Sequence, residues 1–297
     1  MSLDAPPLLV TAAVIGPGSK VRWLRRNPLL VIGGVGVFVV LAAAVFAPLL
    51  APFPHDAGSA THPFQVLQAP SSAHPFGTDQ VGRDILSRVL YGARVSPLIA
   101  AIVLGIAVAV GVPLGLIAGY FGGVVDDLVM RVTDIFLAVP ALLLALALAA
   151  VLTPGFGSTV LAISVTWWPW YARLVRGEAA SVRNRRFIEN CEALGLPRWR
   201  MLLRHVLPNS VTPVLVQLSL DFGGVILTAS ALSFLGLGVQ TPTPDWGLMV
   251  SQGQPYFTTA WWAVTFPGLA ILFTAMVFNL LGDGLQDLLD PRRVTGR

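Results

Sequence analysis

Charge is scarce in this chain of 297 residues: Asp, Glu, Lys and Arg together make up 11% of it, against roughly 25% in a soluble domain. At 55% hydrophobic residues and a mean hydropathy of +0.75, it cannot cover itself with polar surface. Cysteine is nearly missing. Cys191 stands alone, which excludes a disulfide scaffold. No Gly-X-Y period marks a collagen, and the apolar content excludes disorder. Lysine occurs once, in Gly16-Pro17-Gly18-Ser19-Lys20-Val21. A phosphate-cradling loop needs G-x-x-x-x-G-K-[ST], so the chain carries no such loop for ATP. What remains is a polytopic helical membrane protein.

Six apolar runs are present, at positions 29–51, 96–121, 128–152, 156–173, 211–237 and 261–282. The first would reach about 35 Å as a helix, enough to cross the hydrocarbon. It is about twice the apolar core of a signal peptide, so despite its basic flank (Arg22, Arg25, Arg26) it reads as an uncleaved anchor. The net charge of +4 comes from arginines clustered in blocks between apolar runs; that distribution sets topology and does not suit nucleic acid. With the N-terminus inside, fifteen basic residues fall on the inner side, eight of them from Arg173 to Arg204. Only Arg83, Arg88 and Arg94 fall outside, and Arg131 sits just inside the third run. Both termini are therefore expected in the cytoplasm. The expected division is a tail at 1–28, a first helix at 29–52, an external segment at 53–95, a core of helices two to six at 96–285 and a second tail at 286–297.

The inner loop, about 175–209, has the most to say. Phe187, Cys191 and Leu194 recur at i, i+4, i+7, which predicts a short amphipathic helix stopped by Gly195 and Pro197. A second short helix should place Trp199, Leu202, Leu203 and Val206 on one face and end at Pro208. The result is a knob with a glycine corner whose apolar faces need either the bundle or another protein. Within the membrane, Asp221 has Gln217 four residues earlier on its face; it either lines a pathway or locks two helices together. Arg131 and Asp134 have the spacing of a helical ion pair. Gly111, Gly115 and Gly119 make a small-residue ridge for close packing. Pro113, Pro140, Pro169 and Pro267 favour kinks. His55, His62 and His74 match no metal template, and no catalytic dyad or paired aspartates can be found.

Several motifs in order resemble one family. Glu189-Asn190-Cys191, Gly195 and Leu207-Pro208 follow the cytoplasmic motif of ABC-importer permeases, with Asn190 and Cys191 in place of two alanines and His205 where an aliphatic residue is common. Phe76-Gly77-Thr78-Asp79, Gly82-Arg83-Asp84, Ser87-Arg88 and Gly92-Ala93-Arg94 resemble the dipeptide, oligopeptide and nickel permeases of the C type. So do Ala118-Gly119-Tyr120-Phe121-Gly122-Gly123 with Asp126, and Leu232-Ser233-Phe234-Leu235-Gly236-Leu237-Gly238 with Pro242, Pro244 and Trp246-Gly247. The tail motif Gly282-Asp283-Gly284-Leu285, Asp287 and Leu289-Asp290-Pro291-Arg292 completes the set, with Gln286 in place of an arginine. The resemblance spans about 20–293.

It implies an all-α integral membrane fold of six transmembrane helices, type I-like, in the bacterial cytoplasmic membrane. Phe187, Glu189, Cys191, Ala193, Leu194, Gly195 and Arg198 would form a coupling helix seated on a separate ATPase. The implied partners are a second related permease, two ATPase subunits carrying ATP and magnesium, and an external substrate-binding protein, with no cofactor on this chain. Gln217 and Asp221 would line the pathway, and Asp79, Arg83, Asp84, Asp245 and Trp246 would meet the binding protein. A secondary transporter or channel acting alone is the rival.

Overall fold

The structure, a computed structural model, describes residues 27–289, apart from the side chains of residues 189, 192 and 289. Lys20, Arg22, Arg25 and Arg26, the tail from Asp290 through Arg292, Arg293 and Arg297, and the Glu189 side chain lie outside the described residues. Among those described there is no strand, only a single bridge between Thr78 and Asp84.

Helix α1 (Pro28–Leu50) turns Ile32, Val35, Phe38, Val45 and Leu49 outward and buries Gly33, Gly36, Val40 and Ala47. The two glycines let it lie against the backbone of Leu281 and the side chain of Val277 on the last helix. Pro48 has no N–H, so the Ala44 carbonyl loses its helical partner. Arg94, from the next helix, donates through Nε to that carbonyl and through Nη2 to the Val45 carbonyl at 3.0 Å. A carbonyl left bare in lipid costs several kcal/mol, so this arginine staples α1 to the core.

Helix α2 (Ile85–Phe121) begins eleven residues before position 96, where the apolar run starts. Asp84 caps it, accepting the Ser87 N–H at 2.7 Å. Its first turns carry Arg88 and Arg94, which made them read as loop. Gly111, Gly115 and Gly119 do form a packing ridge: a methyl group on any of them would collide with the carbonyl of Trp168, Ala172 or Arg176 on α5.

The third apolar run is broken, a departure from one span over 128–152. Helices α3 (Gly123–Leu137) and α4 (Ala141–Val151) meet at an 82° bend, with Pro140 capping α4. The other three proline sites lie within continuous helices. Helix α5 (Phe156–Arg183) runs ten residues past position 173 and packs on α2 along its length. Then come α6 (Arg186–Ala193), α7 (Arg198–Met201) and α8 (Leu207–Phe234). The chain does not end a helix at Pro208. A π-helical turn, Leu202–Val206, joins α7 to α8 as one rod, Arg198–Phe234. The wider turn accommodates the proline. Asn209 Nδ2 and Ser210 Oγ donate to the His205 and Val206 carbonyls there. Helix α9 (Trp246–Gly253) lies in the connection between α8 and α10, and α10 (Trp262–Leu289) closes the bundle.

Among the described residues, four helices are long and apolar enough to cross a membrane: α1, α2, the rod containing α8, and α10. The bent pair α3–α4 makes a fifth if it counts as one span. The core lies between α2, α5 and α8, through Ile99, Val103, Ile163, Val175, Ile226 and Leu232.

Candidate functional site

Two ends of the bundle carry the residues singled out in the sequence. At one end, the end expected to lie on the inner side, α5 leaves the bundle and α6 returns to a corner at Gly195. There φ is +74°, a left-handed conformation that glycine adopts freely, and no atom stands within 4 Å of where a Cβ would be. The corner is open. Leu194 is 81% exposed and Phe187 is half-exposed. Ile188, which the i, i+4, i+7 reading passed over, is buried, with Cys191 packed beside it. Ala193 and Arg198 are exposed on either side of the corner.

The second short helix differs from expectation. Met201 and Val206 are buried, whereas Trp199 and Leu203 face outward. The π turn adds a residue to the register and separates Val206 from the Trp199 and Leu203 stripe.

Two ion pairs brace this inner end. Asp126 accepts from Arg176, Nε to Oδ1 at 2.9 Å, and Asp134 pairs with Arg173. Asp134 therefore joins α3 to α5, which corrects the expected pair with Arg131 on its own helix: the α5 guanidinium reaches the carboxylate across the groove.

Deeper in the bundle, Gln217 Nε2 donates to Asp221 Oδ1 at 2.9 Å. The carboxylate lies beside Tyr171 and Trp167 of α5. No spacing on α8 could have announced these two neighbours, because they come from another helix.

The opposite end, expected to face outward, is a buried polar cluster. Asp84 Oδ2 takes the Ser87 N–H and hydroxyl, each at 2.7 Å, and its Oδ1 pairs with His74 Nδ1 at 3.0 Å. Asp79 Oδ2 takes Arg83 Nε at 2.7 Å, with Arg88 Nε at 3.7 Å. Asp56, unremarked in the sequence, accepts the Asp84 N–H at 2.8 Å and His62 Nε2 at 2.8 Å. Asp245 caps α9 through the Leu248 N–H and receives the Ser96 hydroxyl at 2.9 Å. Burial holds its carboxyl above the ordinary carboxylate range, against hydrogen bonds that favour the ion. Trp246 Nε1 donates to the Val89 carbonyl, and its ring fills the space that Gly92 leaves.

The expectation that Asp79, Arg83, Asp84, Asp245 and Trp246 touch a binding protein is therefore corrected. All five are at most 6% exposed. Their hydrogen bonds are spent inside the chain, where they fix the shape of this end of the bundle. Among the described residues no group of three or more His, Cys, Asp or Glu is placed to hold a metal.

Comparison with known proteins reads the same geometry as a transport scaffold. Residues 111–295 match the family described as binding-protein-dependent transport system inner membrane component, and residues 20–70 match the N-terminal TM domain of oligopeptide transport permease C. This chain belongs to that family of transport permeases. Its relatives include a probable D,D-dipeptide transport system permease protein of Escherichia coli (strain K12), 44% identical over 93% of this chain and 92% of that one. A dipeptide transport system permease protein of Alkalihalophilus pseudofirmus is 43% identical over 97% and 94%. A glutathione transport system permease protein of Pectobacterium atrosepticum is 40% identical over 91% and 89%. In fold, the chain matches one from the MetNI methionine ABC transporter in an inward-facing form, with a TM-score of 0.57 at 13% identity, covering 68% of this chain and 96% of that one.

Proposed function

We propose that this chain is a permease subunit of an ATP-driven importer for short peptides or related small solutes. It forms half of a translocation pathway with a second, related permease, and it draws its energy from two separate ATPase subunits that carry ATP and magnesium. Both termini face the cytoplasm, and the bundle crosses six times, α5 included. The observation that carries the reading is the open corner at Gly195. An exposed pair of apolar side chains, Phe187 and Leu194, flanks a turn that no described residue covers, in a protein whose family works with partners.

The mechanism follows from stiffness. Helix α6 hangs from α5 through a two-residue link, and α7 continues as a rod into α8. A push on the corner therefore reaches both α5 and α8, which hold Tyr171 and Asp221 between them. Movement of the corner would part or close these helices, exposing the pathway alternately to either side. Asp221 and Gln217 then line it as polar contacts for a peptide's amine and amide groups. Outside, the buried cluster holds up a rigid platform on which Phe64, 98% exposed, is offered to the binding protein.

The test is purification of the chain from its native host in mild detergent, with mass identification of what stays bound. A second permease and P-loop subunits, with ATPase activity in the eluate, support the reading. A chain that runs alone or only with copies of itself overturns it in favour of a stand-alone transporter.

A further inference from the structure

The outward stripe of the rod Arg198–Phe234 has chemistry that coupling does not use. Trp199 and Leu203 are 61% and 53% exposed, and together with Arg200 and Arg204 they line a cavity of about 360 Å³. The four alternate at i, i+4 spacing, so two guanidiniums stand beside two apolar side chains. The Arg200 guanidinium lies 5.6 Å from the Trp199 ring centroid, which pre-orients it. No acidic residue occurs between positions 198 and 206, and among the described residues neither Arg200 nor Arg204 has an acidic partner. From Arg204 to Phe234 the rod rises about 45 Å, the thickness of a bilayer with its headgroups. Asp221 is the only Asp, Glu, Lys or Arg after Arg204 in that stretch. Arg204 therefore stands at the inner headgroup layer, and Arg200 one turn beyond it.

We propose that Trp199, Arg200, Leu203 and Arg204 form a binding site for an anionic phospholipid of the inner leaflet. The phosphate bridges the two guanidiniums, the glycerol lies on Leu203 beside Arg204, and Trp199, on the cytoplasmic side of the phosphate, holds the Arg200 guanidinium in place. The charges match, and Leu203 and Arg204 are the members of the notch nearest the apolar part of the rod. A lipid held here braces the foot of α8, the rod that carries the corner's motion. The site depends on the orientation proposed above, but lipid retention is read without transport or ATP hydrolysis, so its failure leaves the importer reading standing.

The test uses the full chain in nanodiscs of equal phosphatidylglycerol and phosphatidylcholine, released into the mass spectrometer with its bound lipid. The wild type should retain phosphatidylglycerol in preference, and Arg200→Gln with Arg204→Gln should lower that preference by roughly 5-fold for each arginine removed. Arg200→Lys with Arg204→Lys should keep most of it. Leu203→Glu, which leaves both arginines and the buried Met201 and Val206 in place, should lower it as well. An unchanged lipid ratio in the Gln and Glu variants overturns the proposal. So does a Gln variant that keeps its lipids but loses co-purifying ATPase subunits, since the stripe would then be a protein dock.

Discussion

The two ends of this molecule spend their polar groups differently. At the outer end Asp56, Asp79, Arg83, Asp84, Arg88 and Asp245 are buried and bonded to one another or to nearby backbone. At the inner end apolar groups are exposed, arginines face outward and, among the described residues, no atom fills the space beside the Gly195 corner. A buried ion cluster is costly to disturb, because removing one member strands the rest. An open corner costs little to alter within the chain, and its residues matter only if something else sits there. The outer end should therefore fail by unfolding and the inner end by losing its partner.

The largest effect should come from Arg88→Met at the outer end. It takes the donor from the Asp56 carbonyl and one of the two cations beside Asp79, leaving Arg83 as the one arginine among the buried carboxylates of Asp56, Asp79 and Asp84, and the folded chain should lose about 3–5 kcal/mol. The check is thermal unfolding in detergent, alongside the amount of protein inserted. Gly195→Asp makes the opposite case: insertion and thermal midpoint should stay at wild-type values, while transport falls to background and ATP hydrolysis no longer depends on substrate. Transport at the wild-type rate by that variant would contradict the docking role of the corner. Arg94→Ala should fall between them. It bares the Ala44 carbonyl beside Pro48 and loosens α1 at a cost of about 1–3 kcal/mol, which faster proteolysis of the α1 connection would reveal.

Smaller still is the pair Asp126–Arg176, which is partly exposed. Asp126→Asn should cost no more than about 1 kcal/mol, with a larger effect on transport if α3 and α5 move together. The last effect is one of pH. The Asp245 carboxyl is raised in the folded chain by burial, so the folded state binds its proton more tightly than the unfolded one. The penalty of the ion is present above the folded value and is relieved as pH falls through it toward the unfolded one. The thermal-midpoint difference between wild type and Asp245→Asn should therefore shift toward the wild type on acidification, by at most about 1.4 kcal/mol per pH unit.

What the amino acids announced, and what they hid, divides along the same lines. The glycine ridge on α2 was legible, because a period of four has one geometric meaning on a helix and α5 presents its carbonyls at the same period. The corner at Gly195 was legible from its neighbours, an amphipathic turn before it and a proline after. The start of α2 was hidden: Arg88 and Arg94 look like loop charges, and only the fold shows one facing Asp79 and the other a proline-orphaned carbonyl. Asp134 found its partner on α5, since local spacing says nothing about a helix some forty residues away. The face of Trp199 was misjudged because a π turn shifts the register, and no residue type specifies a π turn. The external contact residues were misplaced because a conspicuous motif of charges signals importance without saying whether it is displayed or buried.

The central claim is that another polypeptide covers the corner, and cross-linking at Leu194 tests it most directly. In a Cys191→Ser background, Leu194→Cys places one thiol at a position whose side chain is 81% exposed. In native membranes a short thiol–amine reagent should join it to a P-loop subunit, and the yield should change when ATP is added. A cross-link confined to this chain or its copies, with no P-loop subunit in any product, would contradict the account.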